Sequence, residues 1–127
     1  MARRTNRTHD RFIDDLVERL EISGRYDTIE RNIEYAGRRV AGELDVYTTC
    51  VVGPWYNVYH HYYEVKSNGT QQNIRHGKSQ IRRWMYYMNT THDVPLYRLK
   101  GAVVTPHGVE RVSSLVSNDK RFIKRRH

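Results

Sequence analysis

The run GELDVYTTCVVGPWYNVYHHYYEVKS, Gly42–Ser67, decides how the chain folds. It contains two β-rich stretches separated by the turn-forming pair Gly53-Pro54. The first stretch carries Glu43 and Asp45, and the second ends in Glu64-Val65-Lys66. Successive side chains of a strand point to opposite faces, so Glu43 and Asp45 are expected on one face, as are Glu64 and Lys66. Leu44, Val46, Thr48 and Cys50 would then form the buried face of the first strand. On the second, His60 and Tyr62 would join Glu64 and Lys66 and line a groove. If the two strands are neighbours, three carboxylates and one ammonium converge at one sheet edge. Like charges so grouped disfavour one another, and a divalent cation with a preference for hard oxygen ligands would relieve the repulsion. The plainer alternative is a solvated cross-strand pair, Glu64 with Lys66, and a turn flanked by Glu43 and Asp45.

Outward from this run, Met1–Thr8 is polar and expected to fray. Phe12, Ile13, Leu16, Val17 and Leu20 recur at helical spacing, which predicts a helix over Asp10–Ile22 stopped by Gly24. Tyr26–Tyr35 reads as an outer strand and Ala36–Arg39 as a turn. After a turn at Asn68–Thr70, the stripe Ile81, Trp84, Met85 and Met88 predicts a second helix over Lys78–Met88. Arg75, Lys78, Arg82 and Arg83 dominate the polar surface there, as a phosphate-facing stripe would require. Leu96–Pro106 and Val109–Val112 read as two further strands joined at Pro106–Gly108.

The 127 residues suit a single domain with basic ends at 1–8 and 118–127. Lys and Arg number 22 against 14 Asp and Glu, a net charge of +8, which favours a polyanion partner. The last eight residues, KRFIKRRH, hold Lys120, Arg121, Lys124, Arg125 and Arg126, the composition of an arm laid along DNA. No apolar run approaches a membrane span or a secretory h-region, so a membrane partner is not expected. The single cysteine, Cys50, cannot form an internal disulfide and fits an intracellular, reducing setting. Apolar residues make up 38% of the chain, a thin core that favours dimerisation. There is no Gly-rich phosphate loop, Cys/His zinc spacing or nucleophile elbow.

Asp45, the spacer and Glu64-Val65-Lys66 resemble the PD-(D/E)xK nuclease superfamily, whose pattern is Asp, a variable spacer and Glu-x-Lys. Gly42-Glu43-Leu44-Asp45-Val46 is similar to the GEIDV-type motif of several of its branches. The resemblance spans roughly Asp10 to Met88 and lacks the proline of the family name. It implies a restriction-endonuclease-like α/β fold: an α-β-β-β-α-β core with a mixed central sheet flanked by helices. It also implies that Asp45, Glu64 and the Val65 carbonyl would hold Mg²⁺ or Mn²⁺ against the scissile phosphate. Lys66 would orient the attacking water or stabilise developing charge, and Gln80, one turn before Trp84, resembles the substrate-orienting Gln of the RecB-like branch.

The family's first-helix Glu falls on Ile13 here, a departure. By helical geometry Glu18 faces water, whereas Asp10, Asp14 and Glu21 flank the apolar stripe. Asp14 is the first candidate to replace it, with Glu43 and His9 as others. Small size, basicity and the lack of a specificity domain resemble Holliday-junction resolvases. The expected activity is metal-dependent hydrolysis of DNA, branched DNA included, by a homodimer, with RNA as the other nucleic acid. A nucleic-acid-binding protein that kept the fold and lost turnover is the alternative.

Overall fold

A computed structural model describes residues 7–112. Their elements run α1 (Arg7–Ser23), β1 (Thr28–Ala36), β2 (Ala41–Val52), β3 (Asn57–Val65), α2 (Gln71–Thr91), a 3₁₀ turn (Leu96–Arg98), β4 (Leu99–Thr105) and β5 (Gly108–Val112). This is an α/β arrangement in the order α-β-β-β-α-β-β, one strand longer than the six-element core that the resemblance implies, with β4 and β5 in place of the two further strands expected after the second helix. The strands form one mixed sheet in the order β1-β2-β3-β4-β5. β3 and β4 are parallel, and the other neighbours are antiparallel. A parallel pair needs a crossover, and α2 supplies it. Among the described residues no helix is long and apolar enough to cross a membrane.

The helices lie on opposite faces, each over its own apolar cluster. Ile13, Leu16 and Val17 of α1 pack with Val46, Tyr63, Val65, Ala102 and Val104. Ile81, Trp84, Met85 and Met88 of α2 pack with Leu44, Tyr62, Leu99, Val103 and Val112. The Trp84 ring meets Tyr62 edge-on at 5.6 Å and Tyr47 at 6.2 Å, a favoured aromatic geometry. Tyr62 is therefore core, only 1% exposed, and does not line a groove as its strand position suggested. His60, on the same face, bonds the Tyr47 hydroxyl at 2.5 Å.

Both helices start earlier than their apolar stripes. Arg7 and Thr8, expected in a frayed end, belong to α1. The second helix begins at Gln71 because Thr70 caps it, its hydroxyl accepting the Asn73 N–H at 3.2 Å. α2 is also pressed close to β4. A Cβ on Gly77 would lie 2.8 Å from Val103, and one on Gly101 would lie 2.3 Å from Ile81. Two side-chain-free positions thus let helix and strand approach, although glycine inside a helix costs about 1 kcal/mol relative to alanine. This contact aims the Asn73/Gln80 edge of α2 at the end of β3.

Gly101→Ala should therefore destabilise the protein by about 1–3 kcal/mol, because its methyl has no space. Ala102→Gly, the neighbouring strand position facing α1, should change stability through lost packing without displacing α2. Urea denaturation measures both. A Gly101→Ala variant as stable as wild type would show that the close approach is not a packing constraint.

Candidate metal and phosphodiester site

The site forms where β2 and β3 part. Their ladder ends at Val46 opposite Tyr63. Beyond it the alternation of β2 breaks: Leu44 packs toward α2, whereas Val46 packs toward α1. Leu44, Val46, Thr48 and Cys50 therefore do not share one buried face, and Cys50 is only partly covered. The break falls at Asp45, opposite Asn32 of β1, whose φ of +53° lies in the left-handed region that Asn tolerates better than most residues. At this break the Asp45 carboxylate replaces a main-chain acceptor: its Oδ2 takes the Val65 N–H at 2.9 Å. A buried N–H that lost its strand partner is thereby satisfied.

Asp45 and Glu64 are both buried, each 4% exposed. With Glu43, Lys66 and Gln80 they line an open pocket of about 480 Å³, joined by His9 and Asn73. Lys66 Nζ lies 3.2 Å from Glu64 Oε2 and donates to Gln80 Oε1 at 3.0 Å. The buried Tyr62 hydroxyl donates to Glu64 Oε1. Burial, and then the charge of Asp45, push the Glu64 carboxyl up to about 7, against the lowering effects of the Tyr62 bond and of Lys66. The same surroundings push the Tyr62 hydroxyl well above its ordinary range, so it remains a donor.

His9 occupies the entrance from α1. Its Nε2 lies 2.9 Å from the Val65 carbonyl and 3.4 Å from Asp45 Oδ2. A carbonyl only accepts, so Nε2 carries a proton and His9 acts as a donor toward both oxygens. His9, one of the first-helix candidates, thus reaches Asp45 and the Val65 carbonyl. Asp14 does not: it is exposed and paired with Arg31 of β1, outside the pocket. Ile13, at the departure position, is core at 1% exposure. Asn73 also lines the pocket, on a first turn of α2 that lies ahead of the Lys78 start its apolar stripe predicts.

The basic residues of α2 do not form one face toward this pocket. At about 100° per residue, Arg75, Lys78 and Arg82 lie across the helix from Gln80, and Arg83 alone flanks it. Lys78 instead pairs with Glu110 of β5 at 2.9 Å. Lys120, Arg121, Lys124, Arg125 and Arg126 lie outside the described residues.

The donor chemistry of Asp45, Glu64 and the Val65 carbonyl is all hard oxygen, as Mg²⁺ or Mn²⁺ requires. Burial first, and then the charge of Asp45, raise the Glu64 carboxyl, and a cation held beside it would favour its ionised form. Among the described residues, however, no three His, Cys, Asp or Glu side chains are already arranged to hold a metal. The donor set fits the ion in kind. No family model, curated protein or solved structure matches the chain.

The raised Glu64 carboxyl sets a pH dependence. Glu64 binds its proton up to about pH 7 in the folded protein but releases it near the ordinary 4.5 once unfolded. The native state therefore holds more protons across that window, and metal-free stability falls as pH rises through it. Glu64→Gln removes this loss, so its melting temperature should exceed that of wild type by a margin that grows from pH 5 to pH 8. Parallel melting curves over that range would contradict the coupling.

Proposed function

We propose that the chain is a divalent-metal-dependent endonuclease that hydrolyses DNA phosphodiester bonds, built on a restriction-endonuclease-like core. The observation that carries this reading is the buried pair Asp45 and Glu64 beside Lys66, open to solvent through one pocket. Burying two carboxylates together weakens a fold unless something compensates their charge. Lys66 compensates part of it, and the rest favours a cationic ligand.

Asp45 and Glu64, with the Val65 carbonyl, would hold Mg²⁺ or Mn²⁺. The ion supplies Lewis-acid stabilisation of charge on the phosphate. Lys66 would place its ammonium against a phosphate oxygen and stabilise the charge that develops there. Gln80, bonded to Lys66 Nζ, acts as a positioning residue that fixes this head group. Tyr62 holds Glu64 from below, which directs Oε2 toward Lys66 and the pocket. Preorganised charge of this kind needs little rearrangement during reaction.

A homodimer with two sites acting on branched DNA belongs to this proposal. The tip of the β2–β3 hairpin exposes Val51, Val52, Trp55 and Tyr56, apolar surface that association would cover. The alternative, a nucleic-acid-binding protein without turnover, draws support from His9, whose proton-bearing nitrogen already contacts the Val65 carbonyl.

Plasmid, single strands and a four-way junction incubated with Mg²⁺ or with EDTA separate the two. The nuclease reading expects cleavage only with the metal. Asp45→Asn, Glu64→Gln and Lys66→Ala should each fold and lose on the order of 10²-fold or more in rate. Wild-type rates in any two of them would sink the assignment. Binding without cleavage under every metal condition would favour the alternative.

A further inference from the structure

A second concavity lies on the α1 face of the sheet. α1 lies over β1, β2 and β3 and reaches Ala102 and Val104 of β4, while Lys100 and Arg111 on the same face of the sheet stand exposed. The resulting groove, between α1 and β4–β5, encloses about 1210 Å³. That exceeds the ~300–1,000 Å³ of small-molecule sites and suits a segment of polymer.

The strand register places its chemistry. His61 stands beside Lys100, Tyr63 beside Ala102, and Ala102 beside Arg111. The floor is therefore apolar and aromatic, with His61 and Tyr63 stacked at 4.2 Å and 20°. Lys100 and Arg111 edge it from the strands and Arg19 from α1. Asp15 is the one carboxylate among the described lining residues. Lys66 lines both this groove and the acidic pocket, so one side chain borders the two.

We infer that this groove is the path of one unpaired nucleic-acid strand, its bases against the floor and its phosphates along Arg19, Lys100 and Arg111, leading past Lys66 to the acidic pocket. The inference rests on the nucleic-acid reading of that pocket but does not require turnover. A duplex hides its bases and offers phosphates alone, which leaves an apolar floor unused. An unpaired strand presents both the charge and the stacking faces that basic, aromatic grooves bind. Burial, with Lys100 and Arg111, pushes the His61 ring down to about 4, so it meets a base as a neutral ring in a positive field. A second copy of the chain would set two basic rims against each other. The residues after Val112 include five Lys and Arg in positions 120–127, again of the wrong sign for this rim.

The test is fluorescence anisotropy in EDTA with the full chain and three 16-unit probes: labelled oligo-dT, an abasic strand of equal length and a duplex. Lys100→Glu/Arg111→Glu should lose at least tenfold in affinity for oligo-dT. Its log–log salt slope should flatten by about 1.4, two phosphate contacts at roughly 0.7 each. Arg75→Glu/Arg82→Glu, across α2, should lose less. Wild type should prefer oligo-dT to the abasic strand by tenfold or more, since stacking is worth about 1–3 kcal/mol per base.

Unchanged oligo-dT affinity in the Lys100/Arg111 variant overturns the inference. So does equal binding of the abasic strand, which would leave a site for any polyanion, an acidic peptide included. A changed oligomeric state of that variant in sedimentation without nucleic acid would instead make the groove an interface between copies. If the double reversal does not fold, Lys100→Gln/Arg111→Gln takes its place with a threefold or larger loss expected. Because no metal is present, a failure to cleave bears on the proposed chemistry and leaves this result standing.

Discussion

Two carboxylates buried side by side govern this structure. Asp45 and Glu64 sit where β2 and β3 separate, in a place where burial and mutual charge both oppose ionisation. Each is retained by a specific partner: the Val65 N–H for Asp45, and the Tyr62 hydroxyl with Lys66 for Glu64. Those partners are fixed by packing further away. Tyr62 is held by Trp84 of α2, and α2 is held against β4 through Gly77 and Gly101. The same contact delivers Gln80 to Lys66. Core and site are thus one arrangement, and the charge pair is the part of it that packing alone does not satisfy.

The two faces of the sheet divide the remaining work. On the α2 face, large aromatic and aliphatic side chains close the core over β2, β3 and β4. On the α1 face the helix covers the sheet as far as Ala102 and Val104, and Lys100 and Arg111 stand exposed beyond it. Lys66, at the end of β3, belongs to both the acidic pocket and the basic groove. A polyanion drawn to the groove by charge would meet Lys66 before the carboxylates, which lowers the cost of bringing a phosphate to an acidic site.

Much of this is legible in the chain. The spacing of Asp45, Glu64 and Lys66 around a Gly-Pro turn predicts a hairpin that gathers them, and Gln80 on the stripe edge of α2 joins them. The face assignment of β2 is not legible, because the break at Asp45 depends on Asn32 of a neighbouring strand. His9 and Asp14 are both carried by α1 near the apolar stripe. Which of them reaches the site depends on a crossing of α1 over the sheet that periodicity does not encode. Three of the four α2 cations, Arg75, Lys78 and Arg82, share a face, but it is turned away from the Gln80 edge. Lys100 and Arg111 are visible as residues on two short strands, yet only the β4–β5 register places them beside His61 and Tyr63.

The central claim is that the Asp45–Glu64 pair carries negative charge that a divalent ion would compensate. Carbon-detected NMR of the Glu64 side-chain carboxyl, titrated with and without Mg²⁺, tests it directly. The account predicts a midpoint near 7 in metal-free protein, as burial and Asp45 dictate, falling below the ordinary carboxylate value when Mg²⁺ is added. A metal-free midpoint near 4.5, or one that Mg²⁺ leaves in place, would contradict it.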